Sequence, residues 1–412
     1  VSVRARAEAL LERIAARDGA LRCYVALDPP AVLREADRLD ALPAAARGPL
    51  HGVPLAVKDI IDVAGLPTRA GSSFFRRDPA ADAPVVRRLR DAGTLIVGKT
   101  NTHEFAWGVT TENPHTGRTA NPHDPSRIAG GSSGGSGAVL AAGLADLALG
   151  TDTLGSIRIP AALCGVCGIR PATGTLPLEG IVPLAPGLDT VGPMARDVAM
   201  VSRAYAVLTG NEPAARAPAR VCRLRGSGWD AVTPAVQAAL DALVARLRER
   251  GIAVADVTWW EPELADAVAI VQMHAAARVH APLIREHRDA YGADVRARVE
   301  RAQDVTDDAL AEARKTVAAA LVTWRAATAG FACALAPIAR DEAPVAPAPP
   351  TFREETIPLV TPASAFALPA LAVPVGTGAH GLPLGAQIIG LDGTPGAAFA
   401  VGASATACGE SA

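Results

Sequence analysis

The sequence predicts an α/β fold, with helices packed on a layered sheet, from three observations. Residues 84–92 read as a basic helix, Gly93 punctuates it, and residues 94–97 follow as a short buried strand. A second such step runs from the glycine-rich residues 130–137 into an apolar helix at 138–144 and a strand at 147–151. The length of 412 residues suffices for one large core, or a core with an embedded subdomain, and the low aromatic share of 4% suggests tightly packed Ala-rich helices.

Taken in order, residues 7–16 and 31–42 have amphipathic helical patterns and precede the first strand, 54–57, which carries Lys58 at its end. After the 84–97 helix and strand, Lys99 is expected to enter a polar loop. From 110 to 127 the pairs Asn113-Pro114, Asn121-Pro122 and Asp124-Pro125 put proline after turn formers and argue against helix or central strand. An ordered loop of that length is usually functional. Residues 214–219, rich in Ala, Pro and Arg, read as a boundary. Thr233 and Pro234 supply an N-cap and a first-turn proline for a helix ending near Gly251, and a strand follows at 252–259. Residues 261–328 are almost wholly helical in pattern, 341–350 form a Pro-rich loop, and 370–375 and 384–389 read as two final strands.

Forty basic and 42 acidic side chains leave a formal charge of -2, so no global field favours nucleic acid or an anionic membrane, and a small-molecule substrate fits best. The apolar stretch 138–150 is broken by Asp146 and is shorter than the roughly 20 residues that span a bilayer. Cysteines at 23, 164, 167, 222, 333 and 408 are too scattered for the framework of a small secreted domain, which points to a reducing, cytoplasmic setting. The pair Cys164 and Cys167 has redox or zinc spacing but no second ligand pair, and packing is its expected role; no metal is expected. Trp107, Trp259, Trp260 and Trp324 are expected in the core.

The strongest local signal is Gly130-Gly131-Ser132-Ser133-Gly134-Gly135-Ser136-Gly137. Such a run suits a linker, a nest of N–H groups at a helix start, or a catalytic loop, and it lacks the Lys-Ser/Thr ending of a phosphate-binding loop. Its Gly131-Ser132-Ser133-Gly134-Gly135 core also satisfies G-x-S-x-G, which would make Ser133 a nucleophile with His274, His280, His287 or His380 as base. That elbow must follow directly on a strand, and residues 124–127 do not read as one. A second turn, Thr151-Asp152-Thr153-Leu154-Gly155-Ser156-Ile157-Arg158, leaves a strand and places Ser156 where a nucleophile belongs. Backbone N–H groups of Thr153, Leu154, Gly155 and Ser156 could converge there on an oxyanion, a geometry worth about 3 kcal/mol at the barrier.

These two segments resemble the amidase signature family, whose hallmark is a Gly/Ser-rich stretch followed by a second Gly-Ser turn. His51-Gly52-Val53-Pro54-Leu55-Ala56-Val57-Lys58-Asp59 is similar to the family's lysine motif. Glu112-Asn113-Pro114-His115 and Asn121-Pro122-His123-Asp124-Pro125-Ser126-Arg127 resemble its approach to the glycine loop, and 368–374 and 385–390 its last strands. The resemblance implies a single α/β/α domain over 1–412, with a large mixed sheet covered on both faces, a signature core at 50–200 and Ser156 near the centre of the sheet. Lys58 then matches the catalytic lysine, Ser132 the bridging serine after a cis Gly131–Ser132 peptide, and Ser156 the nucleophile. No cofactor is implied.

With those roles, Ser132 relays the Ser156 proton to Lys58, which at a reference pKa of about 10.4 must be held largely neutral by burial. Asp59 would oppose this if it pointed inward, and Arg158 or solvent is expected to take its charge. Arg158 either pairs with Asp152 to position the turn or faces a substrate carboxylate; Asp152 is expected to be structural, and Ser133 to support the site. Where the family usually has two glycines before the nucleophile, this chain has Leu154-Gly155; a positive φ at Leu154 would be strained. The helical section 261–328 and the loop at 346–355 carry no motif and are expected to shape the substrate pocket. The leading expectation is hydrolysis of a small carboxamide or ureide, with a homodimer or a small partner subunit compatible. The alternatives are a glutaminase subunit of a tRNA-dependent amidotransferase and a non-catalytic binding homologue.

Overall fold

The computed structural model describes residues 1–213, 218 and 220–406. Helix α1 (Val3–Leu21) starts where the Ser2 hydroxyl accepts from Ala5 N–H, and α2 (Pro29–Asp40), after strand β1 (Tyr24–Leu27), starts at an Asp28 cap with proline in its first turn. Both begin before the apolar periodicity does, because the caps lie outside it. Next come β2 (Pro54–Lys58), α3 (Pro84–Asp91) and β3 (Leu95–Thr100). Lys99 lies inside β3 and is fully buried, not in a polar loop as expected.

The proline-rich segment forms two ribbons apart from the main sheet: β4 (Glu112–Asn113) with β5 (Gly117–Arg118), and β6 (Ala120–Asn121) with β7 (Asp124–Ile128). Side-chain amides hold it, Asn113 donating to Gly71 and Thr102 carbonyls and Asn121 to those of Ile128 and Leu163. A short strand therefore does precede the glycines, contrary to the sequence reading, but it is not part of the main sheet. Helix α4 (Gly134–Ala141) takes in the second half of the glycine run, because side chains there would collide with neighbouring backbone: a Cβ on Gly135 would sit 2.5 Å from Asn101 O.

Then follow β8 (Leu147–Asp152), α5 (Arg158–Cys164), β9 (Cys167–Arg170), β10 (Thr190–Ala195) and α6 (Val198–Thr209). The 214–219 boundary lies outside the described residues except for Pro218, and Cys408 lies outside them too. Beyond it come β11 (Arg220–Arg225), α7 (Pro234–Glu249) and β12 (Ala253–Thr258). Thr233 precedes α7, but its hydroxyl donates to Asp341 rather than capping the helix. The helical section resolves into α8 (Leu264–His287), α9 (Ala293–Gln303) and α10 (Asp307–Ala327). After β13 (Cys333–Pro337) and α11 (Thr351–Ala365), the chain closes with β14 (Ala370–Thr377), β15 (Pro383–Gly390) and α12 (Gly396–Thr406).

Eleven strands form one mixed sheet in the order β1-β3-β2-β8-β10-β9-β14-β15-β13-β11-β12. Strand β2 runs parallel to β3 and β8, whereas β10 is antiparallel to both β8 and β9. Helices α4 and α5 contact one another and pack on β9, β10, β14 and β15 among other strands; α12 contacts both α6 and α7, and these three also pack on β9, β10, β14 and β15, so the two groups occupy opposite faces of an α/β/α sandwich. Trp107, Trp259 and Trp324 are buried and Trp260 is half-buried. By length and composition, α8 is long and apolar enough to cross a membrane, a stretch longer than the 138–150 segment; it packs on α9, α10 and α11 and buries Gln272 and His280 among them.

Candidate active site

Parallel pairing aligns the C-terminal ends of β2 and β8, the usual place for a site in an open α/β sheet. There Lys58 Nζ lies 2.6 Å from Ser132 Oγ and 2.8 Å from Thr151 Oγ1. Lys58 is fully buried, and burial pushes its pKa down from 10.5 to about 7 against the opposing pull of Asp152 and Asp189. The charged amine donates to the Ser132 oxygen, whereas the neutral amine can accept from its hydroxyl. The Gly131–Ser132 peptide is cis, and Ser132 O accepts from His103 N–H and from the Thr111 hydroxyl, each at 3.2 Å.

Ser133 is fully buried, its hydroxyl donating to Thr151 O and accepting from Thr151 N–H. It thereby ties the start of α4 to the end of β8. None of the four candidate histidines bonds it among the described residues: His274 meets Asp307, His280 meets Tyr291, His287 stacks on Phe74 and His380 meets Glu342. The Ser133 nucleophile reading has no base.

The turn that carries Ser156 is built around Asp152. Its carboxylate accepts from Gly155 N–H at 2.8 Å and Ile157 N–H at 3.2 Å, and pairs with Arg158 through Nε and Nη2, both at 3.0 Å. Burial works to raise the Asp152 pKa, but Arg158 and Arg170 outweigh it and hold the carboxyl at about 2. Arg158 also donates to Val360 O, Gln387 Oε1 and Ser364 Oγ, which commits all five of its donors within the protein. It therefore does not face a substrate. Asp59 is likewise not served by Arg158 or solvent: it is buried, and Lys99 lies 3.1 Å from it.

Of the four N–H groups considered for an oxyanion, that of Gly155 is occupied by Asp152. Those of Thr153, Leu154 and Ser156 have no partner among the described residues. The positive φ falls on Gly155, at 92°, and not on Leu154, so leucine is accommodated without strain. The Thr153 hydroxyl is anchored at 2.6 Å to Asp189, whose other oxygen accepts from Leu184 and Ala185 N–H. Ser156 O accepts from Ser133 N–H at 3.2 Å, which sets the two serine segments side by side, while Ser156 Oγ makes no hydrogen bond among the described residues.

Two cavities lie in this part of the molecule, the first against the turn and the second lined by none of its residues. One of about 150 Å³ is lined by Thr151, Thr153, Ile181, Leu184 and Asp189. The other, about 380 Å³, is lined by Trp107, Met273, Ile357 and three arginines, Arg298, Arg301 and Arg353. Cys164 and Cys167 are buried, and burial pushes both thiols up to about 12. Sequence reasoning missed Thr151, Lys99 and Asp189; the first was within reach, since parallel pairing of the 54–57 and 147–151 strands brings their ends together.

Fold and site together set Lys58 against Ser132, and the Ser156 turn against Ser133, on an α/β/α sheet. The family model described as Amidase matches residues 5–395, and the chain belongs to that family. It is 40% identical over 294 residues to a 1-carboxybiuret hydrolase subunit of Pseudomonas sp. (strain ADP), a match covering 66% of this chain and 63% of that one. It is 47% identical over 216 residues to a glutamyl-tRNA(Gln) amidotransferase subunit of Acidothermus cellulolyticus, covering 52% and 43%. These matches span less than two thirds of either relative. A solved structure described as an amidase superposes with a TM-score of 0.93 at 34% identity, covering 99% of this chain and 96% of that one.

Proposed function

We propose that the chain is an amidohydrolase that cleaves a small carboxamide or ureide C–N bond through an acyl-enzyme on Ser156. The observation that carries this is the 2.6 Å contact between buried Lys58, at a pKa of about 7, and Ser132. Neutral Lys58 takes the Ser132 proton as Ser132 takes that of Ser156, and Ser156 Oγ bonds to the substrate carbonyl carbon. The oxyanion is held by N–H groups of Thr153, Leu154 and Ser156. The lysinium returns a proton through Ser132 to the leaving nitrogen, the C–N bond breaks, and ammonia or an amine departs. Water then attacks the ester by the same path reversed, releasing the acid and Ser156. In this scheme Ser133, Asp152 and Arg158 support the turn, and no metal or organic cofactor takes part.

Residues 50–200 supply every group of this relay and turn, and 261–328 line the larger cavity together with α11. That supports reading them as the catalytic core and the substrate-pocket region of one amidase-like domain. The five cysteines among the described residues are buried free thiols, which fits a reducing compartment such as the cytoplasm. The match to an amidotransferase chain favours testing a second reading, a glutaminase that passes ammonia to a partner protein. Ammonia release from a panel of small amides, ureides and glutamine, with Ser156→Ala alongside, tests both. Release that the substitution abolishes supports hydrolysis at Ser156, with glutamine alone supporting the second reading; release that Ser156→Ala retains contradicts both.

A further inference from the structure

The larger cavity holds a cation with no ion-pair partner among the described residues. Arg353, in the first turn of α11, makes no hydrogen bond and no ion pair among the described residues. Some buried or part-buried arginines elsewhere pair with carboxylates, as Arg158 does with Asp152, Arg223 with Asp256 and Arg90 with Asp82. Arg353 is instead half-buried beside two further guanidinium groups, those of Arg298 and Arg301 from α9. Arg298 is partly committed, donating to Trp107 O and to Asp294 at 3.1 Å, and Asp294 is shared with His103. Two carboxylates also line the cavity, Asp266 and Glu354, but both are exposed and neither is within ion-pair distance of an arginine. Burial first, then Arg298 and Arg301, lower the Arg353 pKa to about 10, against the opposing pull of Asp294.

The cavity is also joined to the catalytic turn. Ile357 and Pro358 form its wall one turn of α11 before Val360. Val360 accepts from Arg158, and its side chain would lie 2.7 Å from a Cβ on Gly155, the residue before Ser156. On the other side Trp107 follows Ala106, which lines the smaller cavity beside Thr151 and Thr153. A ligand in the larger cavity therefore lies a few side chains from Ser156.

We infer that Arg353 is a specificity-determining residue that pairs with a carboxylate of the substrate, so that the substrates are amides bearing an anionic group on the acyl side. Crowded guanidinium groups repel one another unless an anion lies between them, and a bidentate arginine–carboxylate pair out of bulk water supplies both energy and orientation. Trp107, Met273 and Ile357 supply the apolar wall against which the methylene spacer rests. The inference rests on the amidohydrolase reading for the word substrate, but the anion site can be read by binding alone.

The test uses malonamate, succinamate and glutaramate, each against its uncharged diamide, titrated calorimetrically into the Ser156→Ala chain. At least one carboxylate is expected to bind about tenfold or more tighter than its diamide, Arg353→Gln to collapse that ratio, and Arg353→Lys to restore it in part. In the chain with Ser156 intact, the same collapse is expected in the ratio of kcat/KM values, carried by KM. Equal binding of every acid and diamide, or a ratio that survives Arg353→Gln, overturns the inference. If Ser156→Ala retains full ammonia release, the catalytic reading fails while the binding ratio still reports on Arg353.

Discussion

Lys58 Nζ and Thr151 Oγ1 stand 2.8 Å apart on adjacent parallel strands, so the amine that meets Ser132 is steered from the sheet itself. Thr151→Val keeps the shape and removes the oxygen. The expected result is a fall of about 10- to 100-fold in kcat/KM with little change in Tm, since one hydrogen bond is worth about 1 kcal/mol to stability. Steady-state kinetics and a thermal melt on the same preparation check it.

The pKa of Lys58 sets the pH dependence. In the proposed relay its neutral form is the base, so kcat/KM is expected to rise about tenfold per pH unit below about pH 7 and to level off above it. For stability the sign follows from proton uptake: the unfolded chain binds a proton at Lys58 up to 10.5 and the folded chain only up to about 7. Stability therefore rises between those values, and wild type gains on Lys58→Met as pH increases through that window. Melts of both chains at several pH values measure the difference.

Gly155→Ala forces a Cβ at φ 92° to within 2.7 Å of Val360 Cγ2 and 2.9 Å of Ile159 Cδ1. The turn must shift, and its three unpartnered N–H groups with it. A loss of about 100-fold in kcat is expected, against about 1–3 kcal/mol of stability, as read by kinetics and chemical denaturation.

Breaking the buried pairs acts on stability first. Lys99→Met leaves the Asp59 carboxylate buried without its counter-charge, held by the Arg69 N–H, and is expected to cost about 3–5 kcal/mol. Adding Asp59→Asn removes the stranded charge and is expected to recover part of that loss, which a double-mutant cycle by denaturant unfolding measures.

Lys58, Ser132 and the Ser156 turn could be located because each sits in a contiguous stretch that resembles a family motif, and the structure puts a strand end at Lys58, a glycine run around Ser132 and a glycine at positive φ before Ser156. Partnerships across the sequence were not. Asp59 and Lys99 are 40 residues apart and meet because β2 and β3 pair, and Arg158 was left between two roles until Val360, Ser364 and Gln387 filled its donors. Helix α11 was hidden by Pro358 and Pro362, which argue against helix locally yet are carried inside one packed on α8. Strands β9, β10 and β13 are short and buried, and so short a run does not declare its partner, while β11 carries three arginines that break its apolar pattern. Arg353 could not be read at all, since its place beside Arg298 and Arg301 in one cavity is set by tertiary packing.

Ser156 as nucleophile is the centre of the account, and reaction with a serine-directed fluorophosphonate, followed by mass spectrometry of the peptides, tests it directly. The expected result is one adduct, on the peptide at Ser156, lost in Ser156→Ala and formed more slowly as pH falls below about 7, where Lys58 becomes protonated. An adduct on Ser133 instead, or labelling that Ser156→Ala leaves intact, would contradict it.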